Sequence, residues 1–118
     1  MYPTFDIPPV KSGNTLVMPQ MQYVAVDAQG NSTPIDITGY TIQARLLAAG
    51  SERLAKEWTT EGDTPSIDMS NAAQGYFTLN SFLATLAVGN YVGDIDFTTP
   101  AGIRDTFCNL KLVVVNAY

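Results

Sequence analysis

The sequence contains no histidine and a single cysteine, and both shortages restrict the chemistry of this chain. Without histidine there is no Ser-His-Asp triad, no Cys-His pair and almost no zinc or haem site. Cys108 has no partner for an internal disulfide, and its alternating neighbours predict a small buried hydrophobe rather than a reactive thiol. Serine and threonine have no activating base placed beside them by a motif. The sequence therefore predicts a protein that is not an enzyme and that carries no cofactor or metal.

Charged residues are also scarce, at 14% of the chain, where about 25% is typical. Such a surface suits a secreted or particle protein with an uncharged polar skin. It suits equally a subunit that buries much of its surface in an assembly, because interface cores are depleted in charge. The net charge is -5 and the six basic residues are scattered. We therefore expect neither nucleic-acid binding nor a basic membrane-binding patch.

Long apolar runs are missing as well. No stretch approaches the roughly 18 apolar residues of a transmembrane helix. The segment Met1–Asp6 has neither a basic region nor an apolar core, so no signal peptide is predicted. An extracellular role would then be reached by lysis or as part of a particle, with synthesis in a host cytoplasm.

What the sequence does contain is β-strand alternation. Residues 40–47 place apolar side chains on every second position, which is a strand period. A closing hairpin runs through residues 91–97, turns at residues 100–102 and returns through residues 103–115. In all, about seven to eight short strands separated by turn residues predict a single antiparallel Ig-like β-sandwich. Residues 43–57 also fit a helix, although two strands are favoured. Ser81 can cap one helical turn after it.

The first 13 residues differ from the rest. Pro3, Pro8 and Pro9 predict an extended N-terminal arm over residues 1–13, followed by the sandwich domain over residues 14–118. Phe5 begins an alternating apolar series in this arm, which can be a strap over the domain's own core. The alternative is that the arm pairs with a neighbouring subunit.

The core should come from the alternating apolar positions of the central strands. We predict a core of Tyr40, Ile42, Ala44, Leu46, Trp58, Ile67, Phe77, Leu79, Leu86, Tyr91, Ile95, Phe97, Leu110, Leu112 and Val114. Trp58 is interpreted as a core residue, with an interface anchor as the alternative. The run Val113–Val115 places apolar groups on both faces of its strand. The predicted partner-binding residues are therefore Phe5, Ile7, Val10, Val113, Val115 and Tyr118.

Three carboxylates near the closing hairpin are a candidate site. Asp94 and Asp96 are two apart in a strand, and Asp105 is near them across the turn. Paired carboxylates can perform acid-base work or bind calcium. The favoured interpretation is a solvated strand face, which also deters edge pairing.

Several motifs together carry a resemblance. They are Asp36–Thr41 followed by a strand with Arg45, then the strand Gly75–Leu79, then Gly89–Ile95 and a long valine-rich final strand. This pattern resembles small Ig-like β-sandwich virion proteins of tailed bacteriophages, including N-terminal domains of baseplate and receptor-binding-complex proteins. The resemblance covers residues from about 13 to 116.

The resemblance implies a structural role in a phage virion. The expected function is an assembly or adaptor subunit of the tail or baseplate, held by other virion proteins as a homo-oligomer or in a symmetric particle. One alternative is a capsid decoration or head-fibre anchoring protein. Another is a free carbohydrate- or receptor-binding module that uses Tyr2, Tyr23 and Tyr118 as stacking groups.

Overall fold

Alternating apolar and polar residues build the strands of a β-sandwich, as predicted. The computed structural model describes residues 4–51 and 53–116. These residues form β1 (Thr4–Asp6), β2 (Val10–Lys11), β3 (Thr15–Leu16), β4 (Gln20–Gln22), β5 (Val24–Val26), β6 (Ser32–Pro34), β7 (Thr41–Ala48), β8 (Leu54–Thr59), β9 (Ile67–Asp68), β10 (Tyr76–Leu79), β11 (Phe82–Leu83), β12 (Gly89–Thr98) and β13 (Arg104–Val115). A 3-10 helix, Ala72–Gln74, lies between β9 and β10. The prediction of an all-β sandwich is confirmed, although the described residues form thirteen strands, many of only two or three residues, where about seven to eight were expected.

The larger layer is a six-stranded sheet in the order β1-β13-β12-β7-β8, with β2 also paired to β13. Strands β7, β8, β12 and β13 pair antiparallel. The N-terminal strands β1 and β2 instead pair parallel with β13. The predicted arm therefore extends the main sheet of its own chain.

A β-bulge shapes the closing hairpin. Ile95 pairs with Cys108 and Asp96 pairs with Thr106, so Phe107 is an extra residue in β13. A bulge sets two residues against one and re-aims the side chains around it. As a result, the ring of Phe107 joins the core aromatics although its neighbour Cys108 is also buried.

The second layer is made of shorter strands. It contains a three-stranded sheet, β4-β10-β9, and two two-stranded sheets, β11-β3 and β5-β6. Gly75 ends the 3-10 helix of this layer with a φ of 81°, in the left-handed region. A Cβ at this position would lie 2.5 Å from the carbonyl oxygen of Tyr23, so only glycine fits.

An aromatic cluster joins the two layers. Phe77 of β10 meets Phe97 of β12 edge to face, with ring centroids 5.3 Å apart. Phe97 in turn stacks on Phe107 at 5.0 Å. Tyr23 and Tyr40 add further edge-to-face contacts to Phe97. Such pairs are favourable beyond the burial of their area.

The predicted core is largely confirmed. Tyr40 and Leu86 are only partly buried and pack against it. Trp58 is fully buried, so it is a core residue rather than an interface anchor. The core also contains buried side chains that the alternation of the long strands did not single out as core: Ile7, Val10, Leu16, Met18, Ile37, Ala72 and Ala84.

Two local predictions need correction and one is confirmed. The apolar pattern from Thr15 to Asp27 predicts one long strand with an edge or a bulge at Pro19, but the structure divides this segment into β3, β4 and β5. Pro19, which cannot donate a ladder hydrogen bond, lies between β3 and β4. The helical turn expected after Ser81 is wrong, since Phe82 and its neighbour form β11 and pair with β3. Residues 43–57 form two strands, as favoured.

Candidate interaction surfaces

The predicted partner-binding residues that the structure describes lie on or beside β1, β2 and β13, but in two different environments. The side chains of Ile7 and Val10 are 4% and 8% exposed and belong to the core of their own chain. Their expected availability to a partner is therefore corrected, because β1 and β2 hold the arm on β13. Phe5 is half-buried. Tyr118 lies outside the described residues.

Val113 and Val115 lie on the other side of the same sheet. In β13, Leu110, Leu112 and Val114 are buried against the second layer. The alternate positions, including Val113 and Val115, therefore face outward. We call this side of the six-stranded sheet the outer face.

Cross-strand register shows which residues neighbour these valines on the outer face. Val92 of β12 pairs with Leu47 of β7 on one side and with Lys111 of β13 on the other. Leu47 also pairs with Leu54 of β8. Directly paired residues lie on the same face, so one apolar row crosses three strands and adjoins Val113 along β13.

This set of residues, Leu47, Leu54, Val92, Val113 and Val115, is named the outer-face patch. Leu54 is 48% exposed, Val92 43% and Val115 37%, and the other two are half-buried. Single exposed apolar residues are normal on a protein surface, but contiguous ones mark interaction sites. The patch is therefore the strongest candidate interaction surface among the described residues.

Only two members of the patch, Val113 and Val115, are indicated by the sequence alone. The other three members are Leu47, Leu54 and Val92. Each is an apolar residue at an outward position of its strand, and this feature could have indicated an interaction surface. Their side-by-side placement depends on which strands pair and in what register, which the alternation within one strand does not contain.

The two edges of the main sheet are protected against strand addition. At the β8 edge, Ala55 is an extra residue where the register shifts, and Lys56 lies across the core margin with its ammonium 4.9 Å from the ring of Phe82. Bulges and edge lysines are common devices against edge pairing. The opposite edge carries Pro8 and Pro9, which cannot donate. Association is therefore directed to the faces of the sandwich.

Next to the patch, the outer face also carries charged side chains. Arg45 lies 3.7 Å from Asp94 across the β7–β12 pair. Asp96 accepts a 2.6 Å hydrogen bond from Arg104 and a 2.9 Å bond from Thr106. The hydrogen bond with Asp96, followed by its charge, raises the pKa of Arg104.

The predicted solvated face is therefore corrected at Asp96. Its side chain is 7% exposed although it points outward, because the bulge turns Thr106 toward it and Arg104 lies over it. Asp105 makes a local contact, accepting from the N–H of Thr106. Among the described residues, no group of three or more His, Cys, Asp or Glu side chains could hold a metal ion.

Cys108 is buried, as predicted, and its environment determines its reactivity. Burial raises the pKa of the Cys108 thiol to about 11, and the negative charge of Asp94 adds to this rise. Below that pH the folded thiol stays protonated, and the thiolate is the nucleophile.

We therefore expect native protein at about pH 8 to react with a disulfide-exchange reagent at least about a hundredfold more slowly than urea-unfolded protein. The measurement is the rate of thiol release followed by absorbance. Rapid labelling of the native chain would show that Cys108 is accessible and ionised.

A second candidate surface is a pocket of about 460 Å³ on the side of the loops. Its walls come from three segments near residues 38–41, 60–61 and 69–73. Backbone hydrogen bonds tie these segments together, since Ile37 donates to Ala72 and Thr60 donates to Ile42. The amide of Ile42 in return donates to the hydroxyl of Thr60. We call this the loop pocket.

Two aspartates fix the bends beside the loop pocket. Asp36 accepts from the backbone N–H of Thr38, and Asp68 accepts from that of Ser70. The side-chain hydrogen bond from Thr38, then its backbone bond, lowers the pKa of Asp36. The backbone bond from Ser70 does the same for the pKa of Asp68. Both carboxylates are thus ionised at neutral pH, and the pocket walls are preformed.

Of the tyrosines proposed as stacking groups, Tyr23 lies among the described residues. Tyr23 is half-buried, with its ring 4.9 Å from Phe97 and 5.7 Å from Phe107. Tyr23 was expected to be an exposed stacking group, but its ring packs in the aromatic cluster. Tyr2 and Tyr118 lie outside the described residues. Over the described residues, no helix has the length and apolar character needed to cross a membrane.

Comparison with known proteins gives structural similarities only. No family model matches the sequence, and no curated protein matches it. Among solved structures, CopC from Methylosinus trichosporium OB3b is 14% identical with a TM-score of 0.47, over 99% of this chain and 86% of CopC. Tim-1 is 10% identical with a TM-score of 0.45, over 100% of this chain and 97% of Tim-1. Neither similarity says what this chain binds.

Proposed function

We propose that this chain is a structural component of a phage virion, an assembly or adaptor subunit of the tail or baseplate held by protein–protein contacts. The observation that carries the assembly role is the outer-face patch. Its apolar side chains, three of them exposed, lie next to one another on the outer face of the main sheet. Covering them with a neighbouring subunit removes apolar surface from water, which is the main driving force of protein association.

Composition and edge protection support the same role. Few charged residues are available to keep the surface hydrated, and charge depletion is typical of interface cores. Since both edges of the main sheet are protected, the neighbouring virion subunit docks on the face. The phage assignment is supported by the sequence resemblance alone, through the motifs at Gly75–Leu79 and Gly89–Ile95.

Purification of the particles tests the proposal. The chain should co-sediment with virions of the phage that encodes it and be detected there by mass spectrometry. Separated heads and tails then distinguish a tail or baseplate subunit from a capsid decoration protein. Recovery of the chain only in the soluble lysate would contradict a virion role.

Val92→Asp tests whether the outer-face patch makes the contact. Val92 is the member of the apolar row next to β13, and removing a carboxylate from water in an interface is costly even opposite Lys111. We expect the variant to be lost from particles by at least about tenfold, while its free energy of unfolding changes by at most about 1 kcal/mol because the position is partly exposed. Immunoblots of gradient-purified particles and urea unfolding give the two measurements.

Val17→Asp is the matched control. Val17 is 68% exposed between β3 and β4, outside the patch. This variant should enter particles normally. Equal incorporation of the Val92→Asp and Val17→Asp variants would exclude the patch as the contact surface. Light scattering of the isolated wild-type chain tests whether the neighbour is a second copy of this chain. If it is, the measured molar mass should rise with protein concentration.

A further inference from the structure

We propose that the loop pocket binds a neutral, hydroxyl-rich ring compound, of which a saccharide unit is the natural example. Pockets of roughly 300–1,000 Å³ with apolar walls and a few polar groups are the usual form of small-molecule sites. At about 460 Å³, the loop pocket lies within this range. It is built from residues other than those of the outer-face patch, so it represents a function beyond assembly.

The lining has two chemically different sides. Met69, Ala72 and Ala73 supply apolar surface. Tyr40, Thr41 and Glu61 supply a phenol, a hydroxyl and a carboxylate. A sugar ring has the same division, with C–H groups on its faces and hydroxyls around its rim. The apolar side can therefore pack against a ring face while the oxygens receive or donate hydrogen bonds.

The polar side is uncommitted. In the described part of the chain, no hydrogen bond engages the side-chain oxygens of Tyr40, Thr41 or Glu61. Another polar group of the lining is already used. The hydroxyl of Thr60 accepts from Ile42. The groups left free are a carboxylate, which accepts strongly from sugar hydroxyls, and two hydroxyls that can both donate and accept.

Charge favours a neutral ligand over an anion. Among the described residues that line the pocket there is one acid, Glu61, and neither lysine nor arginine. The whole chain carries a net charge of -5. Phosphates and nucleotides would therefore be repelled. An amine is the remaining competitor, because it could pair with Glu61, and the experiment includes it.

The preformed walls lower the cost of binding. Hydrogen bonds join all three segments, and the bends at Asp36 and Asp68 are fixed by their own carboxylates. A ligand then does not have to order the loops, which is a major expense of binding to flexible sites.

The experiment is a titration of the isotope-labelled full chain by amide NMR. The probes are the methyl glycosides of glucose, galactose and mannose, N-acetylglucosamine, and methylamine as the cationic competitor. We expect at least one sugar to give saturable shifts clustered on residues 38–41, 60–61 and 69–73, with a dissociation constant of roughly millimolar order. Glu61→Gln should weaken this binding roughly tenfold, and Tyr40→Phe by a smaller factor.

Asp63→Asn is the matched control. Asp63 is an exposed carboxylate near Glu61 that does not line the pocket, so its variant should bind like the wild type. The proposal is overturned if no sugar gives saturable shifts, if the shifts cluster elsewhere, or if Glu61→Gln binds as well as Asp63→Asn. Tighter binding of methylamine than of every sugar would identify a cation site instead. The dispersed amide spectrum of each variant verifies its folding, and none of these outcomes bears on the assembly proposal.

Discussion

Replacing Trp58 with alanine is expected to lower the free energy of unfolding by about 3–5 kcal/mol. Trp58 is 0% exposed and is among the largest fully buried side chains. Its indole meets the ring of Phe82 edge to face at 5.5 Å, which links β8 of the main sheet to β11 of the second layer. Removing it leaves a cavity between the layers that the short strands cannot fill.

Trp58 also makes a hydrogen bond, and a second variant measures its contribution apart from that of packing. Its Nε1 donates to the carbonyl oxygen of Asn80 over 2.9 Å. Trp58→Phe keeps an aromatic ring but leaves that carbonyl without its donor, so we expect an intermediate loss of about 1–3 kcal/mol. Urea unfolding followed by circular dichroism measures both variants.

A domain of this size is stable by roughly 5–15 kcal/mol. The alanine variant should therefore unfold at a much lower urea concentration or fail to fold at room temperature. If Trp58→Ala unfolded with the midpoint of the wild type, the indole would not connect the two layers. If the Phe variant were as unstable as the Ala variant, the hydrogen bond would outweigh the packing.

Ile7→Asp is expected to be the second most damaging change, with a loss of about 2–4 kcal/mol. Ile7 is 4% exposed in the core, and its amide donates to Lys111 of β13 over 2.8 Å. A carboxylate at this position would be buried without a partner. The arm should then leave β13, and the amides of β1 and β2 should exchange hydrogen faster.

Thr4→Asp is the control for the arm. It adds the same charge to an exposed position of β1, so urea unfolding should detect little change. A stable Ile7→Asp chain with a protected arm would mean that the arm is bound elsewhere, as in an exchange between neighbouring copies. A monomeric, destabilised variant supports the strap over the chain's own core.

Much of the fold could be predicted because strand alternation is local. The alternation within one short segment predicts that Ile42, Ala44 and Leu46 share a buried face, and each is 0% exposed. Cys108 was correctly expected to be buried for the same reason. Pro19 also acts locally, and it ended a strand where the apolar pattern alone would have continued it.

The surfaces could be predicted only in part. Val113 and Val115 were found because three consecutive valines cannot all face one side of a strand. Their neighbours Val92 and Leu47 were missed because they come from distant parts of the chain. Asp96 was misjudged because one extra residue, Phe107, changes which side chains of β13 stand beside it.

The sequence by itself determined the all-β class, the closing hairpin and the chemistry that a chain without histidine cannot perform. These follow from residue types and from a period of two, both of which are local properties. The tertiary structure decided that the arm adds strands to its own sheet, that apolar outward residues of separate strands form one patch, and that three segments line an open pocket. The physical reason is that sheet register and loop contacts depend on pairings between distant segments, which are fixed only when the whole core packs.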